Sequence, residues 1–247
     1  MKKKLRKFAI VAVVLGVLVY FGLSFFLGFV VKTAINRIAP KITQTAVVLS
    51  GARISPVSGS GVLSGLYVAN PPGWSTGRAF YLGRIYISMK PFSIFGDHII
   101  IDEINIDQPE FTYETRLFSS NIGDLLKNIG KAKSGGNQGT GDAAKAGRPT
   151  KFEVRHLRLT HGKVTLGVGA AELPLPLPTI ELHNLGTGDG GFTSEQLAFA
   201  VMKSVSSEIV GATTHAAGKI GSTAGAAAVE GVKKTGEEIK KLLGGGK

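Results

Sequence analysis

The chain has 247 residues, no cysteine and a formal net charge of +12. A cysteine-free chain excludes a disulfide-stapled fold, and this length leaves room for one modest domain with a real core. The positive charge does not indicate a nucleic-acid-binding protein, because its densest part, residues 1–7, flanks an apolar segment. We therefore expect no nucleic acid among the partners.

The N-terminal segment predicts a membrane anchor. Residues 8–31 are almost purely apolar, with Tyr20 and Ser24 as the polar exceptions, and about 20 such residues suffice for a helix to cross the hydrocarbon core. A cleavable signal peptide has a shorter apolar core and a small-x-small cleavage site, which residues 31–36 do not supply. We predict an uncleaved transmembrane signal anchor at 8–31 after a cytoplasmic basic flank at 1–7.

The charges on either side of this anchor predict its orientation. The more basic flank stays in the cytoplasm, and here it is the N-terminal one: Lys2, Lys3, Lys4, Arg6 and Lys7 outweigh Lys32, Arg37 and Lys41. In a bacterium, this orientation places the anchor in the inner membrane and the main domain in the periplasm.

The region after the anchor alternates between apolar and polar residues as β-strands do. Ile85, Ile87 and Met89 fall on one face of a predicted strand, and short turns join the strands, which predicts an antiparallel meander. The predicted strands lie around 47–54 and at 62–69, 79–90, 99–108, 110–117, 151–160, 163–169, 173–177 and 179–185. A short helix is predicted at 121–129, from apolar residues at helical spacing.

Composition divides the exported part into four segments. The first is a β-module at 32–130. Residues 131–150 lack large apolar side chains, which predicts a flexible linker. A second β-segment at 151–191 and a helical tail at 192–247 follow, the tail with Leu197, Val205 and Ile209 on one apolar stripe.

Catalytic motifs are scarce. The chain has no Gly-x-Ser-x-Gly, His-Glu-x-x-His or Walker sequence. Residues 186–191 fit Gly-x-Gly-x-x-Gly, but no parallel strand with an acidic residue follows, so a dinucleotide site is not indicated. The five histidines are dispersed without paired metal spacing, and the acidic residues Asp102, Glu103 and Asp107 favour a structural or solvated role. We expect no enzyme, no cofactor and no metal.

The strand region resembles the N-terminal module of AsmA-like proteins. The resemblance lies in the ordered set 65–73, 79–85 and 100–110, read as GLYVANPPG, AFYLGRI and IIDEINIDQPE. Residues 121–126 resemble the helical segment that follows in that family, and an N-terminal membrane helix fits as well. The likeness covers roughly residues 1–130, with a looser likeness of the tail to short members.

This resemblance implies an elongated, curved β-sheet with an apolar concave face, akin to the chorein-type bridge proteins that carry lipids. Larger members are implicated in phospholipid transport to the outer membrane and in envelope integrity. We therefore expect an α+β fold that is mainly β with helices: a transmembrane helix, a curved, groove-like antiparallel sheet and a long C-terminal helix.

Two functions follow as hypotheses. In the first, the sheet holds phospholipid acyl chains and contributes to lipid transport or outer-membrane homeostasis. In the second, the C-terminal helix seals the same residues into a closed core, and the protein is a scaffold that recruits an envelope protein or self-associates. The candidate groove residues are Val62, Ile85, Ile87, Met89, Ile104, Ile106, Phe111, Tyr113, Val164 and Leu166. About eight stacked strands at roughly 4.8 Å would span about 40 Å, too little to bridge two membranes.

Overall fold

The predicted α+β class is confirmed in a computed structural model, which describes residues 2–116, 118–135, 150–168, 171–188 and 190–219 together with Lys234 and Glu237. The described part contains three helices, α1 (Lys2–Thr43), α2 (Asn121–Gly135) and α3 (Ser194–Lys219). Most of the predicted linker, 136–149, and most of the tail beyond Lys219 lie outside the described residues. Residues 131–135, assigned to the linker by composition, form the last turn of α2.

The β-strands of the described residues form one mostly antiparallel sheet that does not close on itself. In chain order they are β1 (Val47–Ile54), β2 (Ser60–Ala69), β3 (Arg78–Met89), β4 (His98–Asp107), β5 (Glu110–Arg116), β6 (Ser119–Ser120), β7 (Lys151–Thr160), β8 (Lys163–Val168), β9 (Ala171–Pro176) and β10 (Ile180–Leu185). Each lies within a few residues of a predicted strand except the two-residue β6, which pairs with β5.

The sheet is narrower than the strand count suggests. Strands β4 and β5 pair with the same edge of β3 in one unbroken register, so the chain continues through Pro109 rather than turning there. The pairs β7 with β8 and β10 with β9 are collinear in the same way. Six strand positions at about 4.8 Å spacing span about 24 Å. The expected span of about 40 Å was wrong for this reason.

Two pairings depart from the predicted antiparallel meander. Strands β4 and β5 run parallel to β7 and β8, whereas every other pairing among the described strands is antiparallel. A parallel neighbour requires the chain to cross back before it pairs, and α2 lies on that connection. The strands of the predicted second β-segment, β7 to β10, extend the same sheet as β1 to β5.

Helix α1 covers the outer edge of β1. An exposed edge strand leaves backbone donors and acceptors unpaired. The Asn36 side chain satisfies two of them: its Oδ1 accepts from the Leu49 N–H at 2.6 Å, and its Nδ2 donates to the Leu49 carbonyl at 3.3 Å. Gly28 permits the close approach, because a Cβ there would lie 2.2 Å from the Ala52 carbonyl oxygen.

The buried side chains form one cluster, although the alternation of buried and exposed residues shifts by one position midway along the strands. Side chains alternate between the two faces of a strand, so a one-residue phase change moves the apolar set across. Along β4 and β5, the buried residue is even-numbered before the break, as Ile106 is, and odd-numbered after it, as Phe111 is. Along β7 and β8 the order is reversed, with Leu159 buried before the break and Val164 after it. The breaks align across the sheet in register, at Ser50, Gly65, Gly83, Gln108, His161 and Pro178.

Left-handed backbone accompanies the phase change at three of these six positions. The φ angles are +64° at Gly65, +52° at Gln108 and +51° at His161, values that residues other than glycine rarely adopt. Because the buried residues on both sides of the line belong to one hydrophobic cluster, the kinks keep the apolar side chains in a common core.

We expect Gly65→Ala to lower the free energy of unfolding by about 1–3 kcal/mol, because a side chain is strained at this φ and its Cβ would lie 2.7 Å from Ser50 Oγ. Gly73→Ala is the matched control: it has a φ of +91° with nothing within 4 Å of the added carbon. Thermal unfolding followed by circular dichroism compares the two. Equal losses in both variants would contradict a kink packed against β1.

Candidate functional site

Most of the predicted groove residues are core residues. Seven of the ten are less than a tenth exposed, namely Ile85, Met89, Ile106, Phe111, Tyr113, Val164 and Leu166, and the other three, Val62, Ile87 and Ile104, are half-buried. Tyr113 and Val164 are fully buried. The seven buried residues do not line an open groove within the described part of the chain.

Helices α2 and α3 close this part of the sheet. Helix α2 packs on β5, β6 and α1, and α3 packs on β7, β9 and β10. Their buried apolar residues are Ile122, Leu125, Leu126 and Ile129 on α2 and Met202, Val205, Ile209 and Val210 on α3. The two helices also touch, since a Cβ on Gly130 would lie 3.3 Å from the Phe199 ring. The Val205 and Ile209 stripe predicted on the tail therefore faces protein.

An open groove lies elsewhere, between α1 and the first four strands. Its volume is about 710 Å³, within the range of about 300–1,000 Å³ typical of ligand pockets. Helix α1 supplies one wall through Tyr20, Phe21, Ser24 and Phe25, and the sheet supplies the other through 52–55, 60–62 and 86–88 with Glu103 and Asn105. Of the predicted groove residues, Val62 and Ile87 contribute to its lining. The Val62 side chain shares a sheet face with its register partner Tyr86, whereas Ile87 lies on the other face and packs against the core.

The groove combines apolar and polar groups. Aromatic rings from α1 line one wall with Val62 and Tyr86 on the other, while Arg53, Glu103 and Asn105 add charged and amide groups on the sheet side. The Tyr20 hydroxyl donates to Ser55 Oγ at 3.1 Å, which joins the helix to the end of β1. An elongated apolar molecule with a polar end matches such a lining.

The end of the sheet beside this groove exposes large apolar side chains. Val57 is 62% exposed, Phe92 63% and Phe95 56%. These residues lie in the β1–β2 and β3–β4 loops, which are joined by a hydrogen bond from the Met89 N–H to the Gly59 carbonyl at 2.8 Å. We call Val57, Phe92 and Phe95 the apolar tip.

Helix α1 extends past the apolar tip. It runs antiparallel to β1, with Asn36 beside Leu49 and Tyr20 beside Ser55, so the residues before Tyr20 continue beyond the end of the strand. Among the described residues, one helix, within Arg6–Thr43, is long and apolar enough to cross a membrane. The groove, the apolar tip and the exposed apolar half of α1 thus lie at one end of the molecule.

The acidic residues singled out in the sequence pair with basic groups on neighbouring strands. Asp102 Oδ1 lies 3.0 Å from Arg155, and Asp107 Oδ1 lies 2.7 Å from His161 Nδ1, a hydrogen bond that lowers the pKa of Asp107. A hydrogen bond from Lys163 likewise lowers the pKa of Glu110. These contacts link neighbouring segments of the sheet.

The sequence contains a pattern that indicates which face of α1 packs on the sheet, although the apolar composition of residues 8–31 does not reveal it. Tyr20, Ser24 and Gly28 follow one another at four-residue spacing, so they share one face of α1, and all three lie on the side that meets the sheet. Small and polar residues at this spacing in an apolar helix are typical of a packing face. An interpretation of residues 8–31 as a lipid-facing span overlooked it.

No protein-family model and no curated protein sequence matches the chain. The likeness to AsmA-like proteins therefore stays a prediction carried by the residues quoted above.

Ionisation of Tyr113 tests whether the predicted groove is closed at this point. Burial raises the pKa of Tyr113 to about 12, whereas a tyrosine facing an open groove ionises near about 10. The stability that neutral Tyr113 contributes is present below about pH 10 and is lost as the pH rises toward 12. Ultraviolet difference spectra between the wild type and Tyr113→Phe should show a phenolate that forms only well above about pH 10. Tyr86→Phe is the control, because the Tyr86 side chain is 45% exposed. Ionisation near pH 10 in the folded protein would show an accessible phenol.

Proposed function

We propose that the protein is a membrane-anchored lipid-binding protein that holds a phospholipid in the groove between α1 and the sheet. One observation carries the proposal: a groove of about 710 Å³ is walled on one side by the apolar helix and lies at the end of the sheet that bears the apolar tip. We propose an inner-membrane location, with the N-terminus cytoplasmic and the sheet periplasmic, from the basic residues before Phe8.

The depth of the groove supports this proposal. A helix rises 1.5 Å per residue, so about 20 residues cross a hydrocarbon core of about 30 Å. Counted from Phe8, this span ends near Leu27, which places Tyr20 about 10 Å inside the boundary. Peripheral elements bury their apolar groups by about 5–10 Å at this boundary. The apolar tip and the groove mouth then lie where acyl chains meet headgroups.

The polar lining should decide which lipid is held. An acyl chain that moves from the bilayer into an apolar groove exchanges one apolar environment for another and gains little hydrophobic free energy. Selective binding therefore has to come from the headgroup. Arg53, an exposed cation on the groove wall, suits a phosphate oxygen, and Asn105 offers an amide donor.

The dimensions of the sheet limit the role in transport. Six strand positions span about 24 Å, so a single copy does not bridge two membranes. We propose that the protein takes up or presents phospholipid at the membrane surface and contributes to lipid transport or envelope homeostasis together with other components.

A second candidate is a non-catalytic envelope scaffold. The closure of the sheet by α2 and α3, with seven of the ten predicted groove residues in the core, favours it. In that case the groove contains only bulk membrane lipid, and the function lies in a protein partner or in self-association.

Photo-crosslinking with a phospholipid that carries a diazirine on its acyl chain distinguishes the two. In the full-length protein in liposomes, we expect adducts on the strand residues 52–62 and 86–88 as well as on α1. Val62→Trp should reduce the strand adducts about tenfold, a change of about 1.4 kcal/mol, because the indole fills the groove that Val62 lines.

Val48→Trp is the matched control, since Val48 is 49% exposed on the same sheet and does not line the groove. It should leave the adducts unchanged. Adducts confined to α1, or strand adducts that Val62→Trp does not reduce, would contradict lipid binding in the groove and would favour the scaffold.

A further inference from the structure

Two histidines that lie far apart in the sequence meet on the sheet. His156 on β7 and His183 on β10 are register partners on antiparallel strands, and their rings stack with centroids 4.7 Å apart and planes 6° apart. Glu181 lies two residues before His183, so its side chain projects from the same face. One ligand atom from each of the three lies within 4.8 Å of the others.

The spacing of these atoms suits a transition-metal ion. Zinc binds imidazole nitrogen at about 2.0–2.1 Å in tetrahedral geometry, which separates two ligand atoms by about 3.4 Å. The three side chains reach this separation by rotation, since His183 and Glu181 are 59% and 44% exposed. Imidazole and carboxylate donors together favour zinc and its neighbours over calcium or magnesium.

The surroundings of His156 prepare it as a ligand. Its Nε2 is buried without a hydrogen-bond partner among the described residues, which leaves that nitrogen for a metal. Its Nδ1 lies 3.9 Å from Oε1 of Glu103, the register partner on β4. At this distance the carboxylate makes no hydrogen bond to Nδ1, but its negative charge favours a proton on that nitrogen, which leaves Nε2 as the ligand atom.

One neighbouring charge opposes a cation here. Arg158 Nε lies 3.2 Å from Oε1 of Glu181, so it holds one carboxylate oxygen and repels a positive ion. The other oxygen, Oε2, is the one nearer His183, at 3.9 Å from Nε2. Arg158 therefore weakens the site without removing the third ligand.

We propose that His156, His183 and Glu181 form a binding site for a divalent transition-metal ion of the zinc class, with an open fourth position for water. The site lies on β7 and β10, beside the lipid groove, whose lining includes Glu103, the neighbour of His156 on β4. No metal-ligand spacing is visible in the sequence, because strand pairing alone brings the two histidines together.

Titration of the tag-free, metal-free, full-length protein in nanodiscs tests the site, with Co²⁺ followed by visible absorption and Zn²⁺ by competition. We expect one ion per chain. His156→Gln and His183→Gln should each weaken Zn²⁺ binding by about tenfold or more, while Arg158→Gln should strengthen it. His161→Gln is the matched control, because His161 pairs with Asp107 instead.

Circular dichroism confirms that each variant is folded. Binding by the wild type that is no tighter than that of the His156→Gln, His183→Gln double variant would overturn the proposal. An equal loss in His161→Gln would overturn it too, since it would show unspecific binding to surface imidazoles.

Discussion

The position of the sheet relative to the membrane depends on one contact, the one between α1 and the edge of β1. An edge strand exposes unpaired backbone groups, and Asn36 satisfies the N–H and the carbonyl of Leu49 from the helix side. Gly28 lets the helix backbone approach Ala52 to a distance that any Cβ would prevent. Because the helix that forms this contact is also the apolar one, the orientation of the sheet follows from the orientation of α1.

The two faces of the sheet have different surroundings. On one face, the apolar residues on both sides of the line of kinks through Gln108 and His161 form one core, which α2 and α3 cover and which includes fully buried residues such as Tyr113. On the other face, the side chains of Val62 and its register partner Tyr86 line the groove beside α1. A closed core and the proposed lipid site are thus compatible in one sheet, because they occupy opposite faces of it.

The sequence predicted the strands well because alternation and turn residues are local signals. It did not predict which strands pair: the parallel contact of β4 with β7 depends on the path of the chain through α2, and no local pattern encodes that path. Gln108 and His161 adopt positive φ although their residue types do not require it, so the collinear strands were taken for hairpins. For the candidate groove, the strand pattern named Val62, which lines it, but it also named Ile87, which shares a face with the buried Ile85. The helix wall was missed although Tyr20, Ser24 and Gly28 share one face.

The depth of the apolar tip in the bilayer tests this account most directly. The chain has no native cysteine, so single nitroxide labels can be placed at Val57→Cys and Phe92→Cys, with Thr76→Cys in the exposed β2–β3 loop at the opposite end as control. In the full-length protein in liposomes, the account predicts that oxygen relaxes the first two labels more than a water-soluble nickel complex does, and that the third shows the reverse. Water-exposed labels at all three positions would contradict it, because the groove would then lie outside the membrane.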